Sequence, residues 1–470
     1  MTLLTARDIT VHDGNTQLLQ PISLTLKAGI PLVVLGETGS GKSLLAQAIM
    51  GTLSAGLHGR GQVTIAGQAL DAARPATFRH LWGRDIAVLP QEPWLSLDPL
   101  MRARAQVAEG HRILRGVPRA EARQRASADL AELGLGDVDG RYPQELSGGM
   151  AQRVAIAAAR AGGAQIVIAD EPTKGLDAAR RDSVADLLRS ETARGGGLLV
   201  ITHDLTLAAR LGGQIMVVRH GEVIEVGDTA DVLAAPAHVY TSGLIAADPA
   251  QWPDRAAPAA ASTAVVAAKN LGLRRGGRLL FSDVNLAIAP GHILGLTGPS
   301  GCGKSSLGDA LLGLLAPSAG QVIRATGLST TAFQKLHQDP VAAFPPHRVL
   351  AQTLGDVAKR AGQTQDRIAT VMDRFALRME LLTRRPADVS GGELQRLSIL
   401  RLMLVKPQFI FADEPTSRLD PVTQKQVIDL LHQMARDEGT AILLVSHDPA
   451  LIRNTSDSVL DWTALRALAA

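Results

Sequence analysis

The sequence predicts an α/β protein in which two copies of one domain, each built on a mostly parallel sheet, follow each other along the chain. Apolar runs of strand length alternate with stretches of helical periodicity. Two of these runs, PLVVLG and HILGLTG, lead straight into glycine-rich loops that open a helix. A set of motifs also occurs twice in the same order, which indicates duplicated domains.

Composition is that of a globular protein, with 46% hydrophobic and 20% charged residues. The net charge of +3 argues against a dedicated nucleic-acid binder, which concentrates positive charge. Cys302 is the only cysteine, so no intrachain disulfide can form, as expected in a reducing cytosol. We see no secretion signal, and the apolar runs are far shorter than the ~20 residues that span a bilayer. Any role at a membrane would therefore need partner subunits.

The repeated motifs divide the chain into two domains. The pairs are GETGSGKS at Gly36–Ser43 and GPSGCGKS at Gly298–Ser305, LSGGMAQR at Leu146–Arg153 and VSGGELQR at Val389–Arg396, IADEPTKGLD at Ile168–Asp177 and FADEPTSRLD at Phe411–Asp420, and ITHD at Ile201–Asp204 and VSHD at Val445–Asp448. We predict domains at residues 1–247 and 265–470. The segment 248–264 is rich in Pro and Ala and is predicted to be a linker.

Within each domain, an arginine-rich segment with helical periodicity lies between the glycine-rich loop and the SGG motif. These segments are Met101–Leu133 and Val349–Leu382. We expect each to form a helical subdomain inserted into its domain.

The two G-x-x-x-x-G-K-S loops are predicted to bind phosphate, because glycines let backbone N–H groups converge on an anion at a helix N-terminus. Lys42 and Lys304 would reach the β- and γ-phosphates, and Ser43 and Ser305 would bind Mg²⁺. A chance glycine-rich turn is the alternative for one loop, but two loops in matched contexts argue against it. The expected nucleotide contacts are Gly36, Glu37, Thr38, Gly39, Ser40, Gly41, Lys42 and Ser43, and Gly298, Pro299, Ser300, Gly301, Cys302, Gly303, Lys304, Ser305 and Ser306.

An acidic pair ends one apolar strand in each half. Asp170 and Asp413 are predicted to bind Mg²⁺, mostly through water. The following residues, Glu171 and Glu414, would orient and deprotonate the attacking water. The alternative is an exposed acidic pair at a strand end.

Histidine and glutamine occupy matched positions in the two halves. His203 and His447 follow apolar strands and are interpreted as γ-phosphate contacts, although a single histidine there is more often structural. Gln91 and Gln338 lie between the phosphate loop and the SGG motif, where contact with nucleotide, Mg²⁺ and water is the better interpretation.

The SGG motifs each open an apolar helix. The serine is a good N-cap, and the two glycines would let a second phosphate approach the helix N-terminus. The residues are Ser147, Gly148 and Gly149, and Ser390, Gly391 and Gly392.

Together these ordered residues resemble the ABC ATPases over nearly the whole chain. The resemblance implies two P-loop domains with RecA-like parallel cores, an N-terminal antiparallel β region and an inserted helical subdomain. It also implies head-to-tail pairing of the two domains, with ATP and Mg²⁺ at two composite sites. Ser390–Gly392 would complete the site of Lys42, and Ser147–Gly149 that of Lys304.

Three further segments are similar to the oligopeptide, dipeptide and nickel importer branch: Gln91–Leu100, Gln338–His347 and Ala235–Ala247. This likeness implies two integral-membrane permease subunits and an extracytoplasmic solute-binding protein. The chain would then lie on the cytoplasmic face of the inner membrane.

Some features depart from the family pattern. His12, and Arg274 or Arg275, stand where an adenine-stacking aromatic is usual, and the second half lacks the tail found at Ala235–Ala247. An exporter ATPase, a phosphonate-breakdown complex and a ribosome- or DNA-associated ATPase are alternatives. The last two act without permeases.

Overall fold

Two compact units make up the chain in the computed structural model, Met1–Ile245 and Ala246–Ala470. The structure describes residues 1–90, 93–174, 176, 178–253, 263–299, 301–375, 377–417 and 419–462.

Unit 1 contains ten strands and eight helices within its described residues. The strands are β1 (Thr2–Asp13), β2 (Thr16–Lys27), β3 (Leu32–Leu35), β4 (Leu57–Ile65), β5 (Gln68–Asp71), β6 (Ile86–Leu89), β7 (Ile166–Asp170), β8 (Gly197–Thr202), β9 (Gln214–Arg219) and β10 (Glu222–Asp228). The helices are α1 (Lys42–Met50), α2 (Ala103–Arg115), α3 (Arg119–Glu132), α4 (Gly148–Arg160), α5 (Ala178–Ala193), α6 (Leu205–Leu211), α7 (Thr229–Ala234) and α8 (Val239–Ala246).

These strands form two sheets. The antiparallel sheet has the order β2-β1-β4-β5, and its strand β2 alternates buried and exposed residues. The second sheet has the order β10-β9-β3-β8-β7-β6 and is parallel except for the β10–β9 pair. Strands β3 and β8 are buried along their whole length, as expected for parallel strands covered on both faces.

Unit 2 repeats this plan with fewer strands among its described residues. The strands are β11 (Val266–Arg275), β12 (Arg278–Ile288), β13 (Ile293–Thr297), β14 (Ala319–Arg324), β15 (Phe333–Leu336), β16 (Phe409–Asp413), β17 (Ala441–Val445) and β18 (Ser458–Asp461). The helices are α9 (Lys304–Leu312), α10 (Leu350–Arg360), α11 (Gln365–Arg374), α12 (Gly391–Val405), α13 (Pro421–Glu438) and α14 (Pro449–Thr455). The antiparallel sheet has the order β12-β11-β14, and the parallel sheet β15-β16-β17-β13-β18.

The predicted fold class is confirmed: each unit has a parallel-sheet core and an antiparallel sheet at its N-terminal end. The helical insertions also form, with α2 and α3 in the first predicted segment and α10 and α11 in the second. None of the helices in the described ranges has the length and apolar character that a membrane crossing requires.

The start of the predicted linker has local structure. Pro249–Gln251 form a 3-10 turn capped by Asp248, and the side chain of Asn454 donates to the carbonyl of Pro249 at 2.8 Å. These residues therefore lie against α14 of unit 2. Residues 254–262 of the linker lie outside the described residues.

Helix α9 lies close to the sheet of unit 2 because residue 308 is glycine. A Cβ atom added there would be 2.3 Å from two atoms of the Phe411 ring, which is fully buried. In unit 1 the matched positions after the phosphate loop and in the acidic strand hold Ala46 and Ile168, both buried. A larger sheet residue is thus paired with a smaller helix residue.

We predict that Gly308→Ala destabilises unit 2 by about 1–3 kcal/mol, because overpacking outweighs the ~1 kcal/mol helix preference for alanine. Hydrogen exchange of peptides from β16, measured in the full chain, reports this loss. Adding Phe411→Ile should restore most of the protection, because the pair then matches Ala46 and Ile168. If the double variant were no better protected than Gly308→Ala, this account of the contact would be wrong.

Candidate nucleotide sites

The first glycine-rich loop connects β3 to α1 and has little room for larger residues. A Cβ atom at Gly36 would be 2.2 Å from the carbonyl oxygen of Val218. Gly41 is the N-cap of α1 with φ of 101°, a conformation that side chains other than glycine rarely adopt. Lys42 is 5% exposed, and its Nζ donates to the carbonyls of Gly36 and Glu37, both at 2.7 Å. The lysine is thereby held over the loop.

The second loop, between β13 and α9, has the same design. Lys304 Nζ donates to the carbonyls of Gly298 at 2.7 Å and Pro299 at 2.9 Å. Gly303 caps α9 with φ of 115°. Cys302, also predicted to contact nucleotide, is buried and belongs to the apolar cluster beneath the loop. Ser300, also predicted to contact nucleotide, lies outside the described residues.

Different side chains support the two loops. In unit 1, Tyr240 of α8 accepts a hydrogen bond from the backbone N–H of Glu37 at 3.1 Å, and the Arg219 guanidinium lies over its ring. In unit 2, the buried Trp462 lies directly after β18 and contacts both Gly298 and Gly303. Trp462 therefore supports the loop of unit 2 from the end of a strand, whereas Tyr240 supports the loop of unit 1 from a helix.

Each loop serine meets the aspartate at the end of the neighbouring acidic strand. Ser43 Oγ donates to Asp170 Oδ1 at 3.3 Å, and Ser305 Oγ donates to Asp413 Oδ1 at 3.0 Å. Burial raises the pKa of both aspartates, although these hydrogen bonds oppose it. Hard oxygen donors in a partly buried site fit Mg²⁺, whose charge would favour the ionised carboxylates.

The glutamate after each of these aspartates is paired with the histidine of the next strand. Glu171 Oε1 lies 2.8 Å from His203 Nδ1, and Glu414 Oε1 lies 2.6 Å from His447 Nε2. Burial raises the pKa of Glu171, but the hydrogen bond and charge of His203, aided by Lys42 and Lys174, outweigh burial and lower it below its usual value. Glu171 is therefore ionised at neutral pH and able to accept a proton.

Both glutamates have a left-handed backbone, which the sequence did not indicate. Their φ angles are 49° at Glu171 and 48° at Glu414, a strained conformation for a residue with a side chain. Their N–H groups donate to the carbonyls of Ile201 at 2.8 Å and Val445 at 3.0 Å. The same strained conformation thus follows β7 in unit 1 and its counterpart β16 in unit 2.

The structure brings one of the two predicted glutamines to this site. Gln338 Nε2 donates to Glu414 Oε2 at 3.1 Å and to Ser417 Oγ at 3.3 Å. The matching glutamine of unit 1, Gln91, lies outside the described residues.

The serines of the SGG motifs are N-caps, as predicted. Ser147 Oγ accepts from the N–H of Met150 at 3.4 Å, and Ser390 Oγ accepts from the N–H of Glu393 at 3.3 Å. The glycines that follow begin α4 and α12. Each serine caps one N–H group of the first helical turn. The other N–H groups of that turn have no partner within the helix and point out of its N-terminal end.

The residues expected near adenine lie in the antiparallel sheets. His12 is near the end of β1, and Arg274 and Arg275 end β11. Arg274 Nη1 is 3.5 Å from the carbonyl of Gly277 in the turn that follows.

A lysine that the sequence analysis missed lies beside the second site. Lys335 Nζ is 2.7 Å from Asp309 Oδ1 and 3.5 Å from Asp413 Oδ2. The matched positions in unit 1 hold Val88 and Gln47. Strand alternation gave no signal for it, since Lys335 follows the polar Gln334 in the four-residue strand β15. The two acidic strands therefore end in different electrostatic surroundings.

The chain is similar in sequence to known proteins. A profile described as "ABC transporter" matches residues 19–174 and 281–417. The chain is 31% identical to the peptidoglycan transport ATP-binding protein YejF of Agrobacterium fabrum, over 97% of this chain and 90% of that protein. It is 32% identical to the glutathione import ATP-binding protein GsiA of Escherichia coli K12, over 93% of this chain and 80% of that protein.

Solved structures with tandem domains share the fold. An RNase-L inhibitor matches with a TM-score of 0.66 and 21% identity, over 97% of this chain and 87% of that chain. A ribosome-bound archaeal ABCE1 matches with a TM-score of 0.67 and 21% identity, over 96% of this chain and 76% of that one. At this identity the likeness concerns the fold alone.

Proposed function

The chain belongs to the ABC transporter family and is an ATP-binding ATPase, and from this premise we propose that it is the motor subunit of an importer for peptides or related small solutes. The observation that carries the proposal is the presence, in both units, of a held loop lysine, a serine–aspartate pair and a glutamate–histidine pair. The names of YejF and GsiA, both transport ATP-binding proteins, support import of solutes that contain peptide bonds. Nickel remains within the proposed range of solutes.

We propose that each loop binds the phosphates of ATP through its backbone N–H groups and its lysine. Lys42 and Lys304 already lie over their loops, so little reorganisation is needed to move from the loop carbonyls to phosphate oxygens. Ser43 with Asp170, and Ser305 with Asp413, would hold Mg²⁺, together with Gln91 and Gln338. The metal would neutralise the phosphate charge that develops during transfer.

In the proposed mechanism, Glu171 and Glu414 accept the proton of the attacking water. The histidine beside each one orients the carboxylate and, near the γ-phosphate, offers a hydrogen bond. The left-handed turn fixes where each carboxylate points. Gln338 donates to one oxygen of Glu414 and His447 lies beside the other, and together these contacts would hold the carboxylate in place for the attacking water.

We further propose that the two units pair head to tail. Each SGG segment would present the N–H groups at its helix N-terminus to the nucleotide on the other unit. Binding of two ATP molecules would favour the closed pair and hydrolysis would favour reopening, which is the motion that permeases require. The proposed partners are two integral-membrane permeases and an extracytoplasmic solute-binding protein, with the chain on the cytoplasmic face of the inner membrane.

Replacing the proposed base tests the mechanism. Glu171→Gln and Glu414→Gln should each retain bound ATP and lower turnover of the full chain, and the double variant should have no measurable turnover. Retention is measured by gel filtration with labelled ATP, and turnover by phosphate release. Glu121→Gln, an exposed carboxylate on α3, is the matched control and should leave both unchanged.

Full turnover in either single variant would contradict the proposal that both sites hydrolyse ATP. Full turnover in the double variant would remove the glutamates from the mechanism altogether.

The charge beside Asp413 provides a second test. Lys335→Val should lower the Mg²⁺ concentration needed for half-maximal nucleotide binding at the second site by about two- to fivefold, because the ammonium no longer competes for Asp413. Bound Mn²⁺, followed by electron paramagnetic resonance with ADP in a chain whose first metal site is removed by Asp170→Asn, measures this without catalysis. Lys269→Val, exposed on β11, is the control. An unchanged or higher metal requirement in Lys335→Val would refute competition.

Import is tested in cells and by isolation. A strain lacking the gene should lose uptake of at least one member of a panel of labelled dipeptides, glutathione, muropeptides, an opine and Ni²⁺, and the tagged chain should co-isolate with two integral membrane proteins. Restoring the gene should restore uptake, whereas the Glu171→Gln/Glu414→Gln gene should not. Export of the same solute from loaded cells would instead assign the chain to an exporter.

A further inference from the structure

The hydroxyl group of Tyr240 contacts the backbone of the first phosphate loop from a distant part of the chain. Tyr240 lies on α8, and its Oη accepts a hydrogen bond from the N–H of Glu37 at 3.1 Å. The carbonyl oxygen of Glu37 accepts from Lys42 Nζ at 2.7 Å. Glu37 is therefore held at both of its backbone polar groups, once by the lysine proposed to bind phosphate and once by a side chain that is not part of the loop.

Tyr240 is itself held by contacts outside the loop. The N–H groups of Ala237 and His238, directly before α8, donate to the two carboxylate oxygens of Glu225 on β10 at 2.7 and 3.2 Å. The guanidinium of Arg219, at the end of β9, lies 4.8 Å from the centre of the Tyr240 ring, and a cation over an aromatic face is attractive. These contacts fix the position from which the hydroxyl reaches the loop.

The strands that hold Tyr240 also contact the loop directly. In the turn between β9 and β10, the N–H of Gly221 donates to the carbonyl of Ser40 at 2.8 Å. The carbonyl of Val218 on β9 lies against Gly36 at the start of the loop. The loop and Tyr240 therefore share one support. Because both partners are already positioned, their hydrogen bond forms at little cost in conformational entropy.

Unit 2 shows that a loop of this kind can be built without such a hydrogen bond. The residue matched to Glu37 is Pro299, which has no backbone N–H to donate. The aromatic residue beside the second loop is Trp462, which contacts Gly298 and has no oxygen that could accept. Tyrosine thus accompanies the loop that has a donor at this position, and tryptophan the loop that has none. This difference points to the hydrogen bond, and not to ring packing alone, as the contribution of Tyr240.

We propose that Tyr240 is a positioning residue of the first nucleotide site, an inference that rests on the proposed binding of ATP phosphates by this loop. When Lys42 moves from the carbonyl of Glu37 to a phosphate oxygen, the Tyr240 hydroxyl keeps Glu37 in place. The loop then retains the conformation in which its N–H groups converge on the phosphates. A loop that is already ordered loses less conformational entropy when its ligand binds. The first site therefore depends on α8 for its affinity, and the second site does not.

The experiment measures nucleotide affinity at one site of the full-length chain at a time. In the Lys304→Ala chain, titration with N-methylanthraniloyl-ADP and Mg²⁺ reports the first site by fluorescence and without hydrolysis. Tyr240→Phe should raise the dissociation constant about three- to tenfold, which is the effect of losing one hydrogen bond. In the Lys42→Ala chain, which retains the second site, the same substitution should leave the dissociation constant unchanged. Thermal unfolding of each variant confirms that it is folded.

The other tyrosine of the chain provides a matched control. Tyr142 also has an arginine beside its ring, with the guanidinium of Arg102 at 4.9 Å from the ring centre, but it lies before the SGG motif and not on α8. Tyr142→Phe should leave the dissociation constant of the first site unchanged.

A second variant separates the hydrogen bond from any other role of the tyrosine. Glu37→Pro removes the donor and gives the first loop the residue found in the second loop. In the Glu37→Pro chain, Tyr240→Phe should have no further effect on affinity at the first site. A merely structural role of the hydroxyl would still weaken binding in that chain.

The proposal is overturned if Tyr240→Phe binds nucleotide at the first site as tightly as the parent. It is also overturned if the loss of affinity persists in the Glu37→Pro chain or is equally large at the second site. Binding that survives in the Lys42→Ala/Lys304→Ala chain would instead overturn the proposed phosphate loops themselves, so the two failures are distinguishable.

Discussion

The left-handed turn at Glu171 and Glu414 is the constraint on which both candidate sites depend. A parallel strand that continued in the extended conformation would carry the glutamate side chain away from the histidine of the neighbouring strand. The positive φ takes the chain out of the extended strand conformation at each glutamate, whose N–H donates to Ile201 or Val445 of that neighbouring strand. The strain is tolerated because the flanking strand is buried on both faces. The glutamate–histidine contact follows from this geometry.

Each unit reaches this geometry with different supporting contacts. Unit 1 ties its phosphate loop to a tyrosine on α8, whereas unit 2 packs a tryptophan beneath its loop. Unit 2 also places a lysine between two carboxylates where unit 1 has an aliphatic residue. The loop lysines and the aspartate–serine pairs are nevertheless alike. The repeat therefore keeps the contacts proposed to bind the phosphates and Mg²⁺, whereas the residues that support the loops differ between the units.

The sequence predicted the fold class and the position of the phosphate loops because both depend on local patterns. A continuous apolar strand followed by glycines and a lysine specifies a strand, a tight turn and a helix within about fifteen residues. The serine–aspartate and glutamate–histidine contacts were predictable for a related reason. Residues at the carboxyl ends of neighbouring parallel strands meet at one edge of the sheet, so their order along the chain already brings them together.

Other features could not be predicted from the sequence, because they depend on contacts between residues that are distant along the chain and belong to no motif. Lys335 meets Asp309 and Asp413 only after β15 pairs with β16, and nothing in FQKL distinguishes a site lysine from a surface lysine. Trp462 meets Gly298 and Gly303 only after β18 pairs with β13, and a single tryptophan far along the chain gave no signal for this contact. The positive φ at the glutamates has no sequence signal, since the residue type gives no conformational preference for it.

The units also differ where the helical insertion meets the sheet core. In unit 1, Arg160 at the end of α4 pairs with Glu191 of α5, and burial raises the pKa of Glu191 although the arginine opposes this. The SGG serines align Arg160 with Met403, which is buried in an apolar cluster of unit 2. Replacing a partly buried ion pair by apolar residues is often neutral or stabilising. One fold therefore accommodates either an ion pair or apolar packing at this contact.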